Sequence, residues 1–345
     1  MECGVDPSRH VPISVITGFL GAGKTTMLWH LLADPACPRT AVIINELGEV
    51  PLDHELIERS EEDLVEISGG CLCCTVRGDL SRALRVIDLR RKRRPGLDIG
   101  RIVIETTGLA DPAPILHTLM TDPMMAYGYR LEGVVTLVDA VNGLATLDRQ
   151  AEARKQVAVA DRVLVTKIDL TGDRIPIDLR ERLRVLAPAS ELDDLSTRRP
   201  ASLLQGLGPW DAARRGPEVE RWLGEAALTG PGHDHTHAHS PSRHDDHIGT
   251  YCVRRPAPIP ARNLARFLEL LMTLAGPRLL RAKGIVKLAE DPARPLVLHA
   301  VQHLVHEPIE LDEWPSDDRD TRLVFVTRGI ERATIEWLTD RLCVG

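Results

Sequence analysis

Aromatic side chains are scarce in this sequence. Phe, Tyr and Trp make up 3% of the 345 residues, so the 43% hydrophobic content rests on Leu, Val, Ile and Ala. Strands of a parallel sheet are buried on both faces and are built from such aliphatic residues. The composition therefore favours an α/β fold. The length favours two domains, because a single core rarely grows beyond ~250–300 residues.

Long apolar runs are also missing. No stretch approaches the ~18 consecutive apolar residues that a membrane-spanning helix needs. The segment Met1–Pro7 is acidic and does not have the apolar core of a secretory signal peptide. The formal net charge is −7, which does not suit nonspecific nucleic-acid binding. We therefore expect a cytoplasmic protein that binds neither membranes nor nucleic acids.

A phosphate-binding loop follows the first apolar run. Residues 18–25 fit the spacing of a glycine, four residues, and then Gly-Lys-Thr. In such loops the backbone N–H groups approach phosphates, the lysine neutralises them, and the threonine hydroxyl ligates Mg²⁺. The run Ile13–Ile16 predicts a strand before the loop, and Thr26–Leu32 predicts a helix after it, as the motif requires. The expected nucleotide-binding residues of this stretch are Gly18, Gly21, Ala22, Gly23, Lys24, Thr25 and Thr26.

Acidic residues follow two further predicted strands. In doubly wound folds, ligands lie beyond the carboxyl ends of the strands. Glu46 and Glu49 could therefore face Mg²⁺, the attacking water or a second metal, or they could be ordinary solvated carboxylates. Glu105 is expected to act on Mg²⁺ through water, and the Gly108 N–H is expected to sense the γ-phosphate.

Seven cysteines occur in the chain, and three of them lie within four residues, at Cys71, Cys73 and Cys74. In a reducing compartment such clustering indicates metal or redox chemistry rather than a disulfide scaffold. Thiolates suit Zn²⁺ and similar soft ions. We expect two of the three to bind one metal together with a carboxylate or histidine from elsewhere. A buried or redox-active thiol cluster is the alternative.

A second decisive motif reads Thr166-Lys167-Ile168-Asp169 at the end of a predicted strand. A carboxylate at Asp169 can accept hydrogen bonds from both N1–H and the exocyclic amine of guanine, while the Lys167 stem packs along the base. Adenine does not offer this pair of donors. The motif therefore predicts selection of GTP over ATP.

Helical periodicity fades after a helix predicted at 177–186, and a linker is expected next. It contains four alternating imidazoles, His233, His235, His237 and His239. An extended chain could present them to a metal ion, or the tract could be a polar linker without a defined site. Order returns at residue 248 with strands and helices of a small α+β domain. The predicted organisation is therefore a nucleotide domain at 1–205, a linker at 206–247, and a C-terminal domain at 248–345.

These motifs together closely resemble those of the CobW family of GTPases, which is grouped with the hydrogenase and urease nickel-insertion GTPases. The resemblance is carried by Gly-Phe-Leu-Gly-Ala-Gly-Lys-Thr-Thr, Asn-Glu-Leu-Gly-Glu, Gly-Gly-Cys-Leu-Cys-Cys, Glu-Thr-Thr-Gly-Leu-Ala-Asp-Pro, Thr-Lys-Ile-Asp and the His tract. Residues 248–345 are also similar to the C-terminal domain of that family, in Leu279–Gly284 and Leu323–Arg328. The resemblance therefore covers nearly the whole chain.

The resemblance implies a GTP-hydrolysing metallochaperone with a P-loop NTPase fold that delivers its metal to a client protein. Zn²⁺ or Co²⁺ would be held by Cys73 and Cys74, with Cys71 and an acidic group such as Glu49. Lys24, Thr25, Glu46 and Glu105 are the expected catalytic residues. A homodimer is left open as the assembly.

Two departures from the family pattern bear on the metal. Leu47 replaces a common aromatic residue, and Thr166 replaces the usual Asn of the guanine motif. Members resembling the zinc-binding subgroup also carry Thr at that position, which favours zinc over cobalt supply for cobalamin synthesis. A metal store or sensor with an incidental GTPase fold remains the rival reading, and a small-molecule kinase is disfavoured by Asp169.

Overall fold

The computed structural model describes most of the chain in two compact units. The first unit comprises described residues within Met1–Gln156, Ala160–Pro176 and Leu192–Gly208; the second comprises those within Val157–Val159, Ile177–Glu191 and Pro209–Gly345. The described residues are 10–37, 39–45, 64–67, 80–81, 83–85, 87–89, 99–122, 128–188, 190–194, 199–205, 207, 248–301, 304–305, 308–340 and 342.

A seven-stranded sheet forms the centre of the first unit. Its strands are β1 Val11–Gly18, β2 Thr40–Asn45, β3 Leu64–Ile67, β4 Arg101–Glu105, β5 Tyr129–Asp139, β6 Arg162–Thr166 and β7 Glu191–Asp194. The spatial order is β3-β2-β4-β1-β5-β6-β7. Each neighbouring pair in this order, from β3–β2 through β5–β6, is parallel. Strands added on both sides of a central β1 make the sheet doubly wound, so the expected fold class is confirmed.

Parallel pairing brings the carboxyl ends of the central strands to one edge of the sheet. The registers that show this are Ile16 with Glu105, Gly18 with Leu137, and Asp139 with Thr166. Residues that follow β1, β4, β5 and β6 are therefore neighbours in space, although they are far apart in sequence. This edge is where ligands bind in folds of this kind.

Helices connect most of these strands. Their bounds are α1 Lys24–Ala33, α2 Ala113–Thr121, α3 Gly143–Arg149, α4 Ala151–Ala158, α5 Ile177–Leu186 and α6 Pro200–Leu203. A further helical stretch lies within residues 80–89, where Leu80, Leu84 and Ile87 are buried as their helical spacing predicts. The chain is extended at Gln150, and this residue separates α3 from α4.

The core of the first unit is aliphatic. β1 is buried at seven of its eight positions, as both-face burial of a central parallel strand requires. Met27, Leu28 and Leu31 of α1 pack with Leu203 and Leu204 against the sheet. The segment after residue 186 therefore contributes β7 and α6 to this unit, whereas the sequence indicated only fading order there.

The second unit is built on an antiparallel sheet. Its strands are β8 Ile248–Arg255, β9 Leu279–Val286, β10 Leu296–Val301, β11 Leu304–Val305, β12 Ile309–Glu310 and β13 Thr321–Arg328. The order is β11-β10-β9-β13-β8, and β12 pairs with β10. Helices α7 Ala261–Ala275 and α8 Arg332–Asp340 complete an α+β unit, as expected from the sequence.

Alternation along the strands gives the second unit a main and a minor core. Leu323 and Phe325 of β13 pack with residues of α7 and α8. The intervening Val324 points to the opposite face and packs with Ile285 and Val297. Phe267 of α7 meets Phe325 edge to face at a centroid distance of 6.1 Å.

Within the described residues, no helix is both long enough and apolar enough to cross a bilayer.

Candidate nucleotide site

The phosphate loop leaves β1 at a glycine that no other residue can replace without strain. Gly18 has a φ of 143°, and a Cβ at this position would lie 2.5 Å from the backbone oxygen of Leu137. Gly23 has a φ of 91° and caps the N-terminus of α1. The loop therefore approaches β5 closely and leads into the N-terminus of α1, the end of a helix at which anions bind.

Lys24 lies folded over this loop. Its Nζ donates to the backbone oxygens of Gly18 at 2.8 Å and Phe19 at 3.2 Å, and only 9% of the residue is exposed. Burial lowers the pKa of Lys24, while the negative charge of Glu105 opposes that shift. A buried cation held by neutral carbonyls can gain strongly when phosphate oxygens replace those carbonyls as its partners.

Two oxygen ligands meet beside the lysine. The Thr25 hydroxyl donates to Glu105 Oε1 at 3.4 Å, and Glu105 is 6% exposed at the end of β4. A hydroxyl and a carboxylate are the oxygen donors that a hard cation such as Mg²⁺ prefers. The donor set therefore fits Mg²⁺, and both residues are ones that the sequence singled out.

The turn after β4, residues Thr106–Ala110, packs directly on the phosphate loop; we call it the switch turn. Thr106 is anchored to β1, because its N–H donates to Ile16 O at 3.0 Å and its hydroxyl donates to the Thr17 hydroxyl at 2.7 Å. A Cβ at Gly108 would lie 2.7 Å from the backbone nitrogen of Leu20. Only glycine permits this approach, which places residue 108 directly against the loop.

Gln156 was missed by the sequence reasoning. This α4 residue has no exposed surface, and its Nε2 donates to Gly108 O and to Ala110 O, each at 3.0 Å. A glutamine within a polar helix sequence carries no motif that could have revealed the contact. The switch turn is therefore held from α4 as well as from β1.

The guanine motif is linked to the phosphate loop by its first residue. The Thr166 hydroxyl donates to Ala22 O at 2.8 Å, across 144 positions of sequence. Lys167 adopts a left-handed φ of 57° and precedes a 3-10 turn, Ile168–Thr171, that exposes Asp169 to solvent. The Thr at this position thus makes a side-chain hydrogen bond to the phosphate loop.

Asp139 is a second residue whose role the sequence did not reveal. Lys167 Nζ lies 2.6 Å from Asp139 Oδ2, and the backbone N–H of Val141 donates to Oδ1 at 2.7 Å. Burial raises the pKa of Asp139, but the hydrogen bonds from Lys167, Val141 and Asn142 outweigh it and the pKa lies below its usual value. The ion pair holds the lysine stem along which a base would stack.

The residues expected to bind the chaperoned metal lie outside the described part of the chain. These are Glu49, Cys71, Cys73, Cys74, His233, His235, His237 and His239, and the expected catalytic residue Glu46 also lies outside that part. Among the described residues, no group of three or more His, Cys, Asp and Glu side chains is arranged to hold a metal ion. Cys37 and Cys252 are described, and burial raises the pKa of both thiols.

Comparison with protein families gives two matches that cover most of the chain. The nucleotide-binding domain of the CobW/HypB/UreG family matches residues 12–192, and the C-terminal domain of the cobalamin synthesis protein cobW matches residues 248–342. The chain belongs to the CobW/HypB/UreG family. The family resemblance inferred from the motifs is therefore confirmed.

Individual relatives agree with this assignment. The zinc chaperone YjiA of Escherichia coli K12 is 31% identical over 317 residues, which cover 92% of this chain and 93% of that protein. The zinc-regulated GTPase metalloprotein activator 1 of Schizosaccharomyces pombe is 35% identical over 201 residues, 54% of this chain and 48% of that protein. The crystal structure of Zn(II)-bound YjiA GTPase from E. coli matches with a TM-score of 0.71 at 26% identity and covers 96% of this chain and 99% of that chain.

Proposed function

We propose that this protein is a GTP-hydrolysing metallochaperone that binds Zn²⁺ and transfers it to a client protein in a nucleotide-dependent way. The proposal that the protein binds a nucleotide rests on one observation. The phosphate loop, the Thr25–Glu105 pair and the exposed Asp169 all lie where strands end at one edge of one parallel sheet. The metal part rests on the clustered thiols and on similarity to proteins named as zinc chaperones.

For the nucleotide, the proposed roles follow from the contacts at the sheet edge. Lys24 exchanges its bonds with Gly18 O and Phe19 O for phosphate oxygens. Thr25, and Glu105 through water, would hold Mg²⁺, which would supply positive charge next to the phosphates. Asp169 accepts the two guanine hydrogen bonds, and Lys167 packs along the base. Glu46 and Glu105 are the candidates for orienting water; since no arginine finger is identifiable from the sequence, we expect slow hydrolysis.

For the metal, we propose that Zn²⁺ is held by Cys73 and Cys74, with Cys71 and Glu49 as further ligands. This loop lies in sequence between Glu49 and Glu105, and Glu105 is the last residue of β4 in the nucleotide sheet. The metal site and the nucleotide site can therefore both shift one conformational equilibrium of this region. By linkage, if GTP changes zinc affinity by some factor, zinc changes GTP affinity by the same factor, with typical coupling of ~1–3 kcal/mol.

The organisation and setting of the protein are part of the same proposal. A nucleotide domain at 1–205 and a C-terminal domain at 248–345 are joined by a linker whose His tract binds metal loosely. A reducing compartment such as the cytoplasm suits thiolate ligands, which must stay free of disulfides. The partner is a metal-requiring client protein rather than a nucleic acid or a membrane.

The deciding experiment is a zinc titration in two nucleotide states. In the protein used, His233, His235, His237 and His239 are replaced by glutamine, which removes background binding and keeps the chain length. Zinc affinity is measured with GDP and with a nonhydrolysable GTP analogue. We expect the two affinities to differ by about 5–150-fold, and zinc uptake to weaken at low pH because thiolates must lose protons to bind.

Matched cysteine variants supply the control. Cys73→Ala with Cys74→Ala should abolish stoichiometric binding, whereas Cys37→Ala should not, because Cys37 is buried and burial raises its pKa. Equal zinc affinities in the two nucleotide states, or stoichiometric binding that survives loss of Cys73 and Cys74, would contradict the metallochaperone proposal and favour a storage role.

A further inference from the structure

The switch turn is held from α4 by a single amide. Gln156 Nε2 donates one hydrogen bond to Gly108 O and one to Ala110 O, each at 3.0 Å. Both acceptors are carbonyl oxygens, so the side chain must supply two donors, and in glutamine these are the two N–H groups of the amide. A residue of similar size without donors therefore cannot reproduce the contact.

Gln156 is itself firmly fixed. The Thr136 hydroxyl of β5 donates to the backbone oxygen of Gln156 at 2.7 Å, and the residue has no exposed surface. The neighbouring Lys155 reaches Asp111 Oδ2 at 3.6 Å, immediately after the same turn. The segment from Gly108 to Asp111 is thus tied through α4 to the central sheet.

The tied segment carries the residue that faces the phosphate loop. Gly108 approaches Leu20 so closely that a Cβ would meet its backbone nitrogen at 2.7 Å. Its own carbonyl is one of the two that Gln156 holds, so the peptide on the C-terminal side of Gly108 cannot rotate freely. All of these contacts are made between groups of the protein itself, so they can hold the turn without help from a bound phosphate.

We propose that Gln156 is a positioning residue that holds the switch turn in the arrangement required by the γ-phosphate of GTP. The inference rests on the proposed GTPase function. A turn ordered in advance does not have to be ordered when GTP binds, and this preorganisation strengthens binding. GDP has no γ-phosphate to contact Gly108, so the affinity of the protein for GDP does not depend on the hydrogen bonds from Gln156. Gln156 therefore contributes to discrimination between the two nucleotides.

Two variants of full-length protein test the role. Gln156→Met keeps side-chain length and removes the donors, and Gln156→Glu places an acceptor-only carboxylate against two carbonyl oxygens. We expect affinity for a nonhydrolysable GTP analogue to fall about tenfold in Gln156→Met and further in Gln156→Glu, as loss of two buried hydrogen bonds implies. GDP affinity should stay within about twofold of wild type. Hydrogen exchange at the Thr106 and Ala110 amides should accelerate.

Thr40→Val is the matched control. It removes one buried hydrogen bond, from the Thr40 hydroxyl to Cys37 O at 3.0 Å, at the opposite edge of the same sheet. We expect it to lower thermal stability without changing the ratio of GTP-analogue to GDP affinity. This separates a general loss of stability from an effect on the switch turn.

Several results would overturn the inference. If the ratio of GTP-analogue to GDP affinity is unchanged in Gln156→Met, Gln156 has only a packing role. If the variant binds the analogue more tightly, the hydrogen bonds from Gln156 oppose GTP binding. Equal weakening of GDP would assign Gln156 to the whole site. If the variants do not fold, hydrogen exchange is measured in nucleotide-free wild type instead. Rapid exchange of the Thr106 and Ala110 amides would contradict a turn that is ordered before nucleotide binds. Failure of wild type to bind either nucleotide would instead refute the GTPase proposal itself.

Discussion

The phosphate end and the base end of the candidate nucleotide site are built differently. At the phosphate end, Lys24 and Glu105 are both buried. Lys24 donates hydrogen bonds to carbonyl oxygens of the loop, and Glu105 accepts one from the Thr25 hydroxyl. At the base end, Asp169 is exposed, and Lys167 is half-buried in an ion pair with Asp139. Charge is therefore desolvated where the phosphates are expected and solvated where the base is expected.

This difference separates two tasks. A desolvated cation interacts more strongly with an arriving phosphate than a solvated one does, because the local dielectric is low. An exposed carboxylate loses little when no base is present and gains two hydrogen bonds when guanine arrives. The phosphate end should therefore control turnover and the conformational response, and the base end should control which nucleotide binds.

Removing the buried lysine should break the phosphate end alone. We expect Lys24→Ala to reduce single-turnover GTP hydrolysis by about 10²–10³-fold or more, the scale for loss of one preorganised charge-stabilising group. Because burial already lowers the pKa of Lys24, GTP affinity of wild type should fall as pH rises through that lowered pKa. Lys287→Ala, which changes a lysine of the second unit, is the control. Wild-type turnover in Lys24→Ala would refute the phosphate-loop assignment.

Changing the exposed carboxylate should break the base end alone. Asp169→Asn is expected to weaken GTP binding by about 1–3 kcal/mol, the cost of leaving a polar group of the bound base without its partner. Calorimetry with GTP and ATP measures the effect on selectivity. Asp173→Asn, an exposed aspartate in the same loop, should leave it unchanged. Equal affinity of wild type for GTP and ATP would defeat the assignment.

Thr166 joins the two ends, so its variants should affect both. Thr166→Val keeps the shape but removes the donor to Ala22 O, and we expect GTP and GDP affinities to fall together by about 1 kcal/mol. Thr166→Ser retains the hydroxyl and should bind both nucleotides nearly as wild type. If Thr166→Val altered only base selectivity, the two ends would be independent.

The smallest effect is expected at the Asp139–Lys167 pair. Asp139→Asn should weaken GTP binding by about 0.5–1 kcal/mol, because Lys167 is partly solvated. The pKa of Asp139 is depressed in the folded protein, so its contribution to stability is present above the unfolded value of about 4 and is lost as pH falls through the folded pKa. Acid unfolding of wild type and variant measures this, and identical pH profiles would show that the pair does not stabilise the fold.

Much of the fold followed from local sequence patterns. The strand-loop-helix around Gly18, the strand ending at Glu105 and the helix Ile177–Leu186 were predicted near their observed bounds, because burial on both faces or on one helical face leaves a periodic record. β7 left no such record: Glu191–Asp194 is short and acidic, and it becomes a strand only by joining the edge of an existing sheet.

The sequence by itself determined which residues are proposed to contact a guanine nucleotide, since phosphate cradling and guanine selection each require particular side chains at close spacing. Tertiary structure decided how those residues are held. The bonds from Gln156 to Gly108, from Lys167 to Asp139 and from Thr166 to Ala22 span 48, 28 and 144 positions. An isolated glutamine or aspartate has the same chemistry anywhere in a chain, and only the parallel sheet, by bringing distant strand ends to one edge, makes these residues partners.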